Sequence, residues 1–250
     1  MKAPSPQGGG AFVVFRPTTF GMHPERLFDF DYGRGMLQST LFGTLPFGLA
    51  NVSERVRRTM LDDECWVDHV DGWVTGADDL YLKFRRTFDW RTHRRWIMDR
   101  EVLEPRLSTG IKQPSPELRL MATNLSRHYG MGFIASWANL YRDGSDSVAW
   151  HGDRFRPGAV HETVALVSLG GPRTIRIRPR GGGPSLPWSL ASGDLLVMGG
   201  PTQHRFEHCV PKTGLAAARI SVAFRCQRGR EFDPSIVDGP RGRRLETSRL

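Results

Sequence analysis

Residues 139–153 read NLYRDGSDSVAWHGD, and the rest of the chain is understood from this stretch. It closes on His151-Gly152-Asp153, an imidazole and a carboxylate two residues apart. On an extended strand, side chains at i and i+2 leave the same face. One short piece of backbone therefore offers a nitrogen and an oxygen ligand to a single cation. Ahead of the pair, DGSDS (143–147) is a turn signature. Before that turn, Asn139 and Tyr141 share a face by the same period-two rule. In a chain with 8 histidines an HxD pair alone is a weak signal, so the third ligand decides its meaning.

Downstream, His161, His204 and His208 compete for that third position. His208 lies in QHRFEHCVP (203–211) and is followed by ARISVAFR (218–225), which carries Arg219 and Arg225. The two arginines are six positions apart, so on one strand they face the same way. A guanidinium binds a carboxylate through two parallel hydrogen bonds and keeps its proton. Two histidines and one carboxylate form the facial ligand set of non-haem Fe(II) chemistry, which leaves positions open for a co-substrate and O2. A dicarboxylate such as 2-oxoglutarate needs a cationic anchor of the kind that Arg219 and Arg225 offer. Asn139 and Tyr141 would add an amide and a phenol to the same ligand.

The pattern around these motifs is β-rich. From Phe133 onward come FIASWANLY, VAWHGD, ETVALVSLG, TIRIRPR, PWSL, GDLLVMGG, HRFEHCVP and ARISVAFR, split by turns such as GGGP (181–184). Short strands at this spacing predict a sandwich or barrel, and a jelly roll suits a metal held in its mouth. The expected class is mainly β with flanking helices, a double-stranded β-helix. The sequence 114–130, PSPELRLMATNLSRHYG, predicts a helix with Pro116 in its first turn, Leu118, Met121 and Leu125 on one face, and Gly130 as the cap. A second helix opening at Ala77-Asp78-Asp79 would bury Leu80, Phe84 and Phe88. Residues 52–74 read as strand, turn, strand. The basic stretch after residue 90, with Arg91, Arg94, Arg95 and Arg100, ends near Pro105 and is either a solvated face or a phosphate-contacting one.

These readings divide the chain into a Gly/Pro-rich arm at 1–50, a domain at 51–228 and a basic tail at 229–250. Within the domain an α/β extension runs to about 130 and the jelly-roll core covers 131–228. There are 35 Lys+Arg against 26 Asp+Glu, a net charge of +9, which suits a polyanionic partner. Cys65, Cys209 and Cys226 are odd in number and lack CxxC spacing, so free thiols in a reducing compartment are expected. No apolar run approaches a membrane span, and no basic-then-apolar leader pattern opens the chain. A soluble, cytoplasmic, monomeric protein is the expectation.

Taken in order, Asn139-Leu140-Tyr141 with Asp143-Gly144, His151-x-Asp153, Val167-Ser168-Leu169-Gly170, Gly193-Asp194-Leu195, His208 and Arg219-x5-Arg225 resemble the AlkB-like Fe(II)/2-oxoglutarate-dependent dioxygenases. The resemblance covers about residues 52–225. It implies iron on His151, Asp153 and His208, which settles the third ligand on His208. It implies 2-oxoglutarate on Asn139, Tyr141, Arg219 and Arg225, with Ser168 near the site. It also implies oxidative removal of alkyl groups from nucleic-acid bases, in alkylated DNA or in RNA, with Arg154 and Phe155 next to the substrate. Three departures stand out: Phe155 replaces an acidic residue of many repair members, LSTGIKQ (107–113) lacks the aromatics that stack a flipped base, and Ser221 replaces a common Asn. Trp137, Trp150, Phe155 and Trp188 are candidates for an aromatic platform, each equally suited to the core. The same chemistry on a tRNA base, protein side chain or small metabolite, or a non-catalytic nucleic-acid-binding module, are the rival readings.

Overall fold

Val164–Gly170, VALVSLG, is apolar on both faces, the mark of a strand covered on two sides. Its burial follows that pattern: every residue up to Leu169 is buried. A computed structural model describes residues 45–97, 100–153 and 163–231. The N-terminal arm up to 44, His161, Arg154, Phe155 and the tail from 232 lie outside the described residues.

The chain opens with β1 (Gly48–Leu49), α1 (Val52–Arg55), β2 (Arg57–Met60), β3 (Trp66–Val70) and β4 (Val74–Thr75). Next come α2 (Ala77–Thr87), β5 (Arg91–Ile97), β6 (Arg100–Gly110) and α3 (Pro116–Tyr129). The remainder is β7 (Met131–Tyr141), β8 (Val148–His151), β9 (Val164–Gly170), β10 (Arg173–Pro179), β11 (Leu186–Leu190), β12 (Leu195–Gly199), α4 (Thr202–Arg205), β13 (Phe206–Val210) and β14 (Arg219–Glu231).

Eight strands form one sheet in the order β2-β3-β12-β9-β14-β7-β6-β5, and four form a second in the order β11-β10-β13-β8. The small sheet packs on one face of the large one, where Ile175, Ile177, Leu190 and Val210 meet Val67, Leu166 and Ala223. The other face of the large sheet is covered by α2 and α3, whose Leu80, Phe84, Leu118, Met121 and Leu125 pack with Val167, Ile220, Val222 and Phe224. This is the expected mainly β, jelly-roll-like architecture with flanking helices.

The helices start and stop for local reasons. In α3, Ser115 caps the N-terminus by accepting from the Leu118 amide at 3.4 Å, Pro116 takes the first position, and Gly130 closes it at φ +66°. α2 is capped by Gly76 in the left-handed region, and Asp78 and Asp79 lie in its first turn, where the dipole favours negative charge. It buries Tyr81 along with Leu80 and Phe84. Phe88 falls at the C-cap instead of on the helix face, and its ring stacks on Phe84 at 4.8 Å.

Two expectations are corrected. Residues 52–55 form a helical turn rather than the start of a strand, because the Asn51 side chain accepts from the Ser53 amide and caps it. β6 runs through Pro105 to Gly110. Its pairing with β5 shifts register between Thr92 and Arg94, and its pairing with β7 begins only at Leu107, so no ladder bond is asked of the proline nitrogen. Residues 48–49, read as part of the arm, pair with β4.

The turn between β7 and β8 is tied down from three sides. Buried Asp146 accepts from the Arg142 backbone amide and from its guanidinium, each at 2.8 Å. Arg173, 3% exposed, donates to the carbonyls of Asp143, Asp146 and Pro211. Gly144 lies against the 213–214 backbone, and a Cβ at this position would overlap the Gly214 carbonyl and come 2.6 Å from that of Thr213. Gly144→Ala is therefore expected to lower unfolding free energy by about 1–3 kcal/mol, the usual cost of overpacking, measured by urea denaturation.

Candidate metal centre and anion pocket

The site lies between the two sheets. His151 ends β8 and His208 sits on β13, and the two are cross-strand partners with ring centroids 4.3 Å apart. Asp153 follows two residues after His151. One ligand atom from each of His151, Asp153 and His208 falls within 4.8 Å of the others. The three residues predicted as metal ligands are thus brought together.

Each ligand is oriented by a neighbour. His151 Nδ1 lies 2.9 Å from the Ala149 carbonyl, and since a carbonyl only accepts, this contact places the proton on Nδ1 and leaves Nε2 free to coordinate. The Asp153 backbone amide donates to the Gln203 side-chain oxygen at 2.9 Å, and Arg225 donates to Asp153 Oδ1 at 2.8 Å. His208 is buried, and burial, followed by the neighbouring His151, pushes its pKa down to about 4. Its imidazole is consequently neutral near pH 7, the form that binds metal.

A cavity of about 60 Å³ connects this cluster to a second group of polar residues, among them Arg106, Asn139, Tyr141, Arg219 and Ser221. Asn139, Tyr141, Arg219 and Ser221 converge by register: Arg219 pairs with Tyr141 and Ser221 with Asn139 across β14 and β7. Ser168 pairs with Ser221 from β9 and accepts from Arg219 Nε at 2.8 Å. Arg219 is fully buried, and burial lowers its pKa to about 10. Its Nη1 has no hydrogen-bond partner among the described residues. Burial likewise raises the Tyr141 hydroxyl pKa. A buried cation without a carboxylate partner is costly unless an anion completes it. The donor set of two imidazoles and one carboxylate fits Fe(II), and the arginine end fits a dicarboxylate.

The expected residues and the observed ones differ in detail. Arg225, assigned to the co-substrate from sequence, makes its ion pair with Asp153. His204 falls on α4 and is exposed, away from the ligand cluster. Arg154 and Phe155 lie outside the described residues. Two contributors escaped the sequence reading. Arg106 donates to Asn139 Oδ1 at 3.0 Å, fixing which way that amide points, and it also pairs with Glu104. Gln203 holds the Asp153 backbone. Neither sits in a motif that names its role. Of the basic residues on β5, Arg91 pairs with Asp89 and Arg94 with Glu101 at the surface. Exposed pairs of this kind are worth about 0–1 kcal/mol and leave the charges open to other anions.

Fold and site together define an oxygenase class: a jelly roll with a two-histidine, one-carboxylate centre beside a buried anion-binding arginine. Comparison with known proteins agrees. The chain belongs to the 2OG-Fe(II) oxygenase superfamily, whose family model matches residues 82–229. Membership implies Fe(II), 2-oxoglutarate and O2 as cofactor and co-substrates. The human alpha-ketoglutarate-dependent dioxygenase alkB homolog 3 is 32% identical over 120 residues, covering 44% of this chain and 42% of that protein. The bovine DNA oxidative demethylase ALKBH2 is 32% identical over 119 residues, covering 44% of this chain and 43% of that protein. The matches therefore span under half the length of these two relatives. Among solved structures, a Pseudomonas putida prolyl-4-hydroxylase superposes with a TM-score of 0.46 at 16% identity, over 65% of this chain and 92% of that one, too loosely to carry weight. Among the described residues no helix is long and apolar enough to cross a membrane.

Residues that orient metal ligands change affinity by about 10- to 100-fold when removed. Gln203→Ala is accordingly expected to weaken divalent-metal binding by at least ten-fold, read as a smaller Mn(II)-induced rise in Tm over the metal-free variant.

Proposed function

We propose that this protein is an Fe(II)/2-oxoglutarate-dependent dioxygenase that oxidatively removes alkyl groups from nucleic-acid bases. The observation that carries the reading is one cavity holding both the His151, Asp153, His208 cluster and the buried, incompletely partnered Arg219. Two kinds of relative, one named as a DNA oxidative demethylase, and the net charge of +9 support a nucleic-acid substrate.

In this reading His151 Nε2, an Asp153 oxygen and a His208 ring nitrogen hold the metal. Ala149 and Gln203 keep the first two aligned, and the Arg225 guanidinium holds the Asp153 carboxylate in place. Arg219, steadied by Ser168, receives a carboxylate of 2-oxoglutarate, with Tyr141 and Asn139 adding polar contacts. Arg106 occupies Asn139 Oδ1, which turns the amide nitrogen toward the cavity. Leu166, Ile175 and Val210 line the same cavity and limit water there. When bound, the metal, 2-oxoglutarate and O2 would supply oxidation of an N-methyl carbon, one oxygen atom going to succinate and the other to the hydroxylated carbon, with CO2 lost and that carbon released as formaldehyde. Arg154 and the basic residues of β5 are assigned to phosphate contacts.

A second reading keeps the chemistry and changes the substrate to a tRNA base, protein side chain or small metabolite. Phe155, standing where an acidic residue is common, favours it. One assay separates the two: incubation with methylated DNA, methylated RNA and a metabolite panel, following succinate and formaldehyde. Formaldehyde from methylated DNA or RNA supports dealkylation, and turnover confined to the metabolite panel excludes it. In the same assay His208→Ala is expected to abolish both products and the visible absorption of the anaerobic Fe(II)/2-oxoglutarate complex. Arg219→Lys, which loses the two-pronged contact, is expected to raise KM for 2-oxoglutarate by about ten-fold or more.

A further inference from the structure

We propose that Trp137 is the platform on which the flat face of the substrate rests, so that the aromatic wall of the pocket is built into β7. This inference rests on the base-dealkylation reading above. An enzyme that works on a nucleic-acid base takes it out of its stack, and the base regains contact on an aromatic side chain.

The structure separates the aromatic candidates. Trp188 is 9% exposed and packs in the core between the sheets, opposite Ile175. Trp150 carries the Arg178 guanidinium over its ring at 4.0 Å and does not line the cavity. Tyr141 is 3% exposed and lies among Arg173 and Arg219, 5.4 and 5.5 Å from its ring. Trp137 is half-buried and lines the cavity together with His151, Asp153 and His208.

Position along the strand gives the cavity two ends. Trp137, Asn139 and Tyr141 share one face of β7, and four residues of strand span roughly 13 Å. The Tyr141 rung faces Arg219 and forms the cationic end; the Trp137 rung faces Ala223 and forms the aromatic end. An anionic co-substrate held at the first leaves the second to a planar, weakly polar group.

The indole is also seated for that task. Its other neighbour across the sheet is Gly110 on β6. A Cβ on Gly110 would come within 3.1 and 3.4 Å of indole Cζ3 and Cε3, so any side chain there presses the ring out of place by a few tenths of an ångström. From β5, the His93 ring backs it at 5.7 Å between centroids. Small residues, Gly110 and Ala223, thus flank the indole across the sheet, and it stays half-buried.

The test uses the full chain and methylated single-stranded DNA, with 2-oxoglutarate affinity read separately from the anaerobic Fe(II)/2-oxoglutarate absorption. Trp137→Leu is expected to raise KM for the oligonucleotide about ten-fold or more, the loss of one stacking contact, with kcat changed much less. Trp137→Phe keeps KM within about three-fold of the wild type, because a flat ring remains. Gly110→Val, which displaces the indole without deleting it, raises KM in the same direction. The 2-oxoglutarate midpoint stays in place in all three variants. An unchanged or lower KM in Trp137→Leu and Gly110→Val overturns the proposal, as does a KM rise that is accompanied by an equal shift in the 2-oxoglutarate midpoint. A wild-type protein that turns over no methylated oligonucleotide removes the dealkylation reading and the platform with it, an outcome told apart because the wild type itself is inactive.

Discussion

His151 and His208 face each other because β8 and β13 pair antiparallel with these two residues as direct partners. Side chains alternate along a strand, so a slip of one residue would turn His208 away and present Cys209 to the cavity instead. Beyond a shift of register, Val210 pairs with Val148, and these two apolar residues anchor the strands in the core between the sheets. The metal centre is therefore a by-product of core packing: burial of the jelly roll fixes the rungs, and the rungs fix the ligands. Asp153 stands just beyond the last residue of β8 and needs further support. Gln203 from α4 and Arg225 from β14 supply it.

The two buried arginines illustrate how the same side chain serves structure in one place and binding in another. Arg173 and Arg219 are both at most 3% exposed, and burial lowers the pKa of each. Arg173 places its donors on three backbone carbonyls and closes the turn that precedes the HxD strand. Among the described residues Arg219 reaches the hydroxyls of Ser168 and, more distantly, Ser221, and neither is an anion. The large sheet thus presents a positive charge with no carboxylate hydrogen-bonded to it among the described residues. That asymmetry, more than any single distance, gives the cavity a direction.

Much of this was legible in the residues. Short apolar runs split by turn signals specified a two-layer β architecture, and Ser115, Pro116 and Gly130 marked the limits of α3. HxD spacing, period-two facing of Asn139 with Tyr141, and the arginines after His208 picked out the site. Where the reading failed, a local competitor had been overlooked. Asn51 captured the Ser53 amide and turned 52–55 into helix. Arg106, Gln203 and the special position of Trp137 were hidden for a different reason. Each acts through a residue that is distant in the chain: Asn139, Asp153 and Gly110.

Sequence alone determined the class of strands, the identity of the donors and the sign of the anchoring charge, since these follow from side-chain chemistry and a two-residue period. Tertiary structure decided which histidine joins Asp153, which arginine pairs with it and which is left for an anion, and which tryptophan meets the cavity. Those choices depend on the pairing register of strands from separated segments, and that register is set by how the two sheets fill the space between them.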